Sequence, residues 1–271
     1  MAIRMPKLPV PGPRRKRPWP PPAEQDGENG KVSLKDQAME VQADVVGWVD
    51  ERTGASGLLR GFLFRKVPKG TNWFYTLGSA TLFAFLSQAV TGVFLAMFYD
   101  PSPTHAYDSV QHITNDVWLG SFVRGMHRWG ATVMIVLIFL HMARTFFFGA
   151  YKYPRELNWV IGVVLLILTM TMSFTGYQLP FDQRSYWATI VGVNINGTGP
   201  LAGPFLSDFL RGGAEFGATT LSRFYAIHML LVPGALAAMI GAHLYLVTKL
   251  GTTAPPWLKG ELDEELRKDQ V

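Results

Sequence analysis

Four histidines fall within apolar sequence: His127 and His141 in VRGMHRWGATVMIVLIFLHMAR, and His228 and His243 in FYAIHMLLVPGALAAMIGAHLYLV. An imidazole carried into hydrocarbon loses its water and gains nothing unless something binds it. The first two are fourteen residues apart and the last two fifteen. On α-helices those spacings rise ~21 Å and ~22.5 Å and return to within ~60° of the starting face. Two such helices running parallel present two His–His pairs, stacked at two depths. A lone histidine in a membrane helix serves as readily for an interhelical hydrogen bond as for ligation. Four at two matched depths point to metal ligation. The chain has no cysteine, so disulfides, iron–sulfur ligation and thioether-attached haem are excluded, and a metal must be held by His, Met or carboxylates.

The elements that must position these residues are visible in the charge pattern. The 271 residues carry a net charge of +5 and are 48% apolar, but the charges are unevenly spread. Trp73 to Tyr99, Leu157 to Phe181 and Phe224 to Thr248 contain no charged residue, and Trp129 to Tyr151 contains only Arg144. Each stretch can span a ~30 Å hydrocarbon core at ~1.5 Å per residue. Four transmembrane helices are predicted, over about 73–99, 121–151, 157–181 and 220–249.

Glycines repeat the histidine spacing. The first span carries Gly78 and Gly92 and the third Gly162 and Gly176, each pair fourteen apart. Glycine inside a helix costs ~1 kcal/mol relative to alanine, so it needs a reason. Close helix approach is one; room for a flat, wide group is the other. A porphyrin held between the second and fourth spans would press its edges on the first and third. Two bis-histidine haems account for all eight residues, and six-coordinate iron of that kind favours electron transfer over oxygen binding. Arg124 and Arg128 flank His127, and Arg144 lies one turn beyond His141; guanidinium at these places can pair with haem propionates. Pro233, five residues past His228, removes one backbone bond and is expected to bend the fourth span. His105 and His112 read as ordinary surface or interface residues.

The fold class expected is therefore an all-α membrane protein, a four-helix bundle enclosing two b-type haems, with interfacial helices in the outer loops. Residues 1–33 read as a disordered, Pro-rich tail with the basic cluster Arg14, Arg15, Lys16 and Arg17, touching lipid and not nucleic acid. No long apolar run follows the cluster, so it is not read as a cleavable signal. Residues 34–68 read as a cytoplasmic-side amphipathic segment, on the membrane surface or packed on a partner. Residues 69–252 form the di-haem domain and 253–271 a polar tail. Lys66, Lys69, Lys152, Arg155, Lys249 and Lys259 put both termini in the cytoplasm. The connections 100–121 and 182–221 then lie outside, and length of that order usually signals function.

The strings LSQAVTGVFLAMFY, VRGMHRWGA, FLHMAR, PRELNWVIGV, FTGYQLPFDQ, YWAT and LSRFYAIH resemble the cytochrome b family of quinol:cytochrome c or plastocyanin oxidoreductases over about 69–250. The short, cytochrome b6-like form fits best: the sequence stops after the fourth span, lacks Pro-Glu-Trp-Tyr, and has fifteen residues between His228 and His243. The resemblance implies that His127 and His228 ligate an outer, low-potential haem, and His141 and His243 an inner, high-potential one. Gln88 matches a position beside the outer haem. Ala188 and Val191 match positions lining an outer quinol-oxidation pocket, and Lys249 falls near an inner quinone-reduction site. Short-form relatives carry a cysteine for a third haem where this chain has Thr76, so a covalent third haem is not expected.

The function so implied is the di-haem subunit of a bc/b6f-type quinol:cytochrome c oxidoreductase, in a bacterial cytoplasmic membrane. It would carry electrons from the outer quinol to the inner quinone, coupled to proton translocation, and would be incomplete alone. Its partners would be a Rieske iron–sulfur protein, a separate membrane subunit with the C-terminal cytochrome b part, and a cytochrome c subunit or acceptor, in a homodimeric complex. A di-haem membrane anchor for a dehydrogenase or hydrogenase would explain the histidines but not LPFDQ, the outer loop or the glycine spacing. A proton transporter relaying through histidines would need no pairs at matched depths.

Overall fold

The structure is a computed structural model that describes residues 34–54, 57 and 70–258. The tail 1–33 with its basic cluster, most of 55–69 including Lys66 and Lys69, and residues 259–271 including Lys259 lie outside the described residues. The chain divides into two units, one up to Arg60 and one from Gly61. In the first, α1 (Leu34–Thr53) exposes Met39, Val41, Val45, Val46 and Trp48, and the Arg52 guanidinium sits 4.1 Å over the Trp48 ring.

The second unit is helical wherever it is described as regular, and four of its helical stretches are long and apolar enough to cross a membrane: Trp73–Ala96, Gly120–Phe147, Glu156–Tyr177 and Ala218–Leu250. The first begins with a 3-10 turn, Trp73–Thr76, capped by the Asn72 side chain accepting from Phe74 N, and continues as α2 (Leu77–Ala96). Thr76 Oγ1 donates to Trp73 O at 2.7 Å and closes that turn. The short α3 (Ala106–Asn115) buries Ala106, Val110 and Ile113, the i, i+4, i+7 face of an amphipathic helix. Gly120 opens the 28-residue α4 (Gly120–Phe147), and a Cβ there would run into the Ile113 carbonyl, so glycine alone lets α3 and α4 turn against each other.

The third span is α5 (Glu156–Tyr177). Asp182 then caps α6 (Gln183–Gly197), accepting from Ser185 N at 2.8 Å. The next helix, α7 (Gly203–Arg211), ends on Gly212 at φ +77°. These two helices, between the third and fourth spans, are held on the bundle by Val193, Leu210 and Phe224, packed with Phe174, Phe216 and Ile227. A Cβ at Gly192 would strike the Phe174 ring, so α6 can lie against the third span only because that residue is glycine.

The fourth span has three parts: α8 (Ala218–Ala226), a π-helical turn over Ile227–Leu231, and α9 (Val232–Leu250). Val232 N donates to Ile227 O, five residues back. The irregularity expected from Pro233 is thus taken up as a widened turn just before it, where the missing proline N–H and its ring would disturb a regular helix. The first span packs on the second and the third on the fourth. At mid-bundle Ala84, Met134 and Ile138 are buried among Phe85, Leu137, Met142 and Leu166.

Candidate functional site

The four histidines meet in two pairs. His127 and His228 have ring centres 6.3 Å apart with planes at 76°, and His141 and His243 6.5 Å apart at 75°. Two imidazoles bonded through nitrogen to one metal at ~2 Å each stand with ring centres ~6 Å apart, so both pairs have the spacing of a shared ligand set. Among the described residues no three His, Cys, Asp or Glu side chains could together hold a bare metal ion. A metal at either pair needs further ligands that travel with it, and a porphyrin supplies four nitrogens.

The equal separations have a cause in the backbone. The second span offers fourteen residues between its histidines and the fourth offers fifteen. The π turn at Ile227–Leu231 contains His228 and absorbs the additional residue. Fifteen residues therefore occupy the rise and rotation of fourteen, and the two pairs come out alike. Deleting Leu230, an exposed member of that turn, is expected to close the turn to α-helical pitch, bent at Pro233, with both pairs still aligned and both haems bound. Deleting Val136 from the second span, which has no such turn, swings His141 by ~100° and removes the inner haem. Haem counting on the two variants checks this; loss of a haem on deleting Leu230 would show that the turn has another purpose.

At the His127–His228 pair, the one expected on the outer side, the tautomer is fixed by neighbours. Thr91 Oγ1 lies 2.9 Å from His127 Nδ1, and Thr175 Oγ1 3.2 Å from His228 Nδ1, which also meets Met172 O at 3.1 Å. Each threonine donates its one proton to a carbonyl of its own helix, Thr91 to Ser87 O at 2.7 Å and Thr175 to Thr171 O at 2.8 Å. Each hydroxyl oxygen is then left to accept from the imidazole, which places the proton on Nδ1 and the lone pair on Nε2. The inner pair lacks this arrangement. His141 Nδ1 is buried without a hydrogen-bond partner, and His243 interacts with the Asn158 backbone without a closed bond at Nδ1.

The two threonines were not singled out in the sequence, yet a signal exists. Each immediately precedes a spaced glycine, as Thr91-Gly92 and Thr175-Gly176, whereas the inner glycines follow Leu77 and Ile161. The glycines themselves contact imidazole. A Cβ at Gly176 would stand 2.5 Å from His228 Cε1, at Gly78 3.1 Å from His141 Cε1, at Gly92 3.2 Å from His127 Cε1, and at Gly162 3.7 Å from His243 Cε1. Sequence reasoning gave them to the porphyrin edges; in the structure they also admit the rings. Gly130 belongs beside them: a Cβ there would collide with Gln88 Nε2, so it seats the Gln88 side chain on the second span next to His127.

The three arginines differ. Arg144 is partly buried and its guanidinium carbon lies 3.8 Å over the Tyr75 ring and 4.9 Å over Phe148. Its Nε and Nη2 are buried without hydrogen-bond partners, a donor pair suited to an anionic group. Arg124 donates to Thr114 Oγ1 at 3.3 Å and so reaches α3, and Arg128 is exposed. On α6, Ala188 is partly buried and Val191 exposed. A cavity of about 10 Å³ between Gln178, Tyr186, Thr189, Phe216 and Phe224 lies nearby, room for one water at most and far too small for a quinone ring. Lys249 is exposed, its Nζ 5.6 Å from the Tyr245 ring centre.

Comparison with known proteins adds three findings. A family model described as "Cytochrome b/b6/petB" matches residues 63–251. The chain is 43% identical over 212 residues to cytochrome b6 of Heliobacterium modesticaldum, covering 78% of this chain and 100% of that one. It is 40% identical over 219 residues to the menaquinol:cytochrome c reductase cytochrome b subunit of Bacillus subtilis, covering 78% and 98%. Among solved structures, a chain of a hyperthermophilic respiratory Complex III superposes with a TM-score of 0.69 at 32% identity, over 78% of this chain; the match spans 56% of that longer chain.

Proposed function

Because this chain belongs to the cytochrome b/b6 family, we propose that it is the di-haem subunit of a bc/b6f-type quinol:cytochrome c oxidoreductase. On this reading it carries electrons between an outer quinol-oxidation site and an inner quinone-reduction site, in a bacterial cytoplasmic membrane with both termini cytoplasmic. Its working partners would be a Rieske iron–sulfur protein, a membrane subunit bearing the C-terminal cytochrome b part, and a cytochrome c subunit or acceptor. The complex would be homodimeric. The observation that carries the proposal is the pair of imidazole pairs, equal in separation and stacked along one bundle.

Haem bound at each pair would supply one-electron carriage at a potential set by its surroundings. The chain's own residues would do the rest. His127 with His228, and His141 with His243, would be the axial ligands. Thr91 and Thr175 hold the outer imidazoles as Nδ1–H tautomers with Nε2 free. Arg144 offers its unpartnered N–H groups to a propionate of the inner haem. Gly78, Gly92, Gly162 and Gly176 keep side chains off the rings, and Gln88 packs on Gly130 beside the outer pair. Ala188 and Val191 on α6 would contribute to the outer quinol pocket once the neighbouring subunit is in place, and Lys249 to the inner quinone site. Thr76, spending its hydroxyl on Trp73 O, can form no thioether, and no covalent third haem is proposed.

The test is a reduced-minus-oxidised spectrum of the purified complex together with a haem count per chain. Two b-type haems per chain are expected; one or none would sink the reading.

A further inference from the structure

The residues after the fourth span fold back beneath the inner end of the bundle. Arg155, at the start of the third span, donates to Leu250 O at 3.1 Å and Gly251 O at 3.3 Å, turning the chain as it leaves the helix. Tyr75 Oη, at the start of the first span, donates to Thr253 O at 3.2 Å. Pro255 is fully buried. Trp257 meets Phe148, at the end of the second span, edge to face with ring centres 5.4 Å apart. Leu258 packs so closely on Gly70 that a Cβ there would lie 2.6 Å from its Cδ1. One short segment thus touches the starts of the first and third spans and the end of the second.

Two of the residues it grips, Tyr75 and Phe148, are the two rings over which Arg144 lies. Their own centres are 5.9 Å apart. A guanidinium lying over two ring faces keeps its N–H edge free, so the rings bear on where the unpartnered Nε and Nη2 point. The rings in turn are fixed by the segment: Tyr75 through its hydroxyl to the Thr253 carbonyl, Phe148 through Trp257.

We propose that residues 251–258 are a strap that positions Arg144 through Tyr75 and Phe148, and so sets the reduction potential of the inner haem without touching it. This rests on the di-haem reading above. Arg144 is the group that would meet the haem; Tyr75, Phe148, Thr253 and Trp257 are positioning residues acting through it. A fixed positive charge beside the inner site favours the reduced iron, so loosening the strap lowers the potential of that haem and leaves the outer one unchanged.

The experiment is a potentiometric titration of both haems in the assembled complex. Arg144→Leu is expected to lower the equilibrium constant for reduction of the inner haem about tenfold, about 59 mV for one electron. Trp257→Ala and Tyr75→Leu should lower it several-fold. Tyr75→Phe, which keeps the ring and loses the hydroxyl that tethers it, should shift it less, and Trp257→Phe should restore most of the potential. The double variant Arg144→Leu with Trp257→Ala should shift no further than Arg144→Leu alone, because the strap acts only through the arginine. Additive shifts, or unchanged potentials in Trp257→Ala and Tyr75→Leu while Arg144→Leu moves, would overturn the strap. If Trp257→Ala fails to assemble, the Tyr75→Leu and Tyr75→Phe pair still decides it: equal or absent shifts in the two would overturn the strap. Failure of the di-haem reading looks different: His141→Leu would then leave the haem count unaltered.

Discussion

Replacing His141 with leucine is expected to remove the inner haem and leave the outer one, so that about half of the b-type absorbance survives. His243→Leu should remove the same haem, and the double variant should lose no more than either single one. The ring centres are 6.5 Å apart, a distance that suits two bonds to one iron, and among the described residues no third His, Cys, Asp or Glu groups with the pair to replace either ligand. The outer pair should be indifferent. It lies ~21 Å away along the helix, and its rings are held by Thr91, Thr175 and Met172, none of which contacts the inner site. Leucine adds no charge, so membrane insertion is preserved. Spectra and haem counts on the three variants are the check; loss of both haems from one substitution, or loss of different haems from His141→Leu and His243→Leu, would mean the pairs are wrongly drawn.

The second large effect is graded. Gly176→Ala places a methyl 2.5 Å from His228 Cε1 and 3.1 Å from its Nδ1, and that ring is almost fully buried and bonded to Thr175 and Met172. It has no direction in which to yield without losing those bonds. Haem affinity at the outer pair should fall roughly 10–100-fold, as for loss of a group that orients a ligand. Gly78→Ala and Gly92→Ala, at 3.1 and 3.2 Å, should weaken haem binding less, at the inner and outer pair respectively. Gly162→Ala, at 3.7 Å, is an ordinary contact and should retain haem, with a helix steadier by up to ~1 kcal/mol. Haem retention through purification ranks the four. A flat response, or Gly162→Ala as the worst of them, would show that ring contact is not why these glycines are there.

The four spans could be read from the sequence because hydrocarbon imposes length and removes charge, and both leave plain marks. The histidines and glycines could be read because a fourteen-residue spacing keeps side chains on one face, whatever the fine geometry. What could not be read depends on which way a side chain turns. Thr91 and Thr175 look like any small membrane residue until their hydroxyls are seen spending a proton on their own helix and facing an imidazole. Gly130 carries no spacing signal, since its reason is one side chain, Gln88. Pro233 announced an irregularity, but not that a widened turn would reconcile fifteen residues with fourteen. Arg124 and Arg128 sit beside His127 in sequence, but helical rotation sends one to α3 and leaves the other exposed. The strap was invisible because residues 251–258 have no periodicity, and their contacts are with residues about a hundred or more positions earlier.

The mid-bundle cluster of Ala84, Met134 and Ile138 separates the two imidazole pairs with close-packed hydrocarbon. The stretches between the two levels, 79–91, 128–140, 163–175 and 229–242, contain one ionisable residue, Arg128 beside His127, and an arginine keeps its proton. On the function proposed above, charge passing from one pair to the other would travel without a mobile counterion beside it, through a layer that behaves as the dielectric of a capacitor. Each such passage would do work against the membrane voltage, ~2.3 kcal/mol per elementary charge per 100 mV for the full thickness.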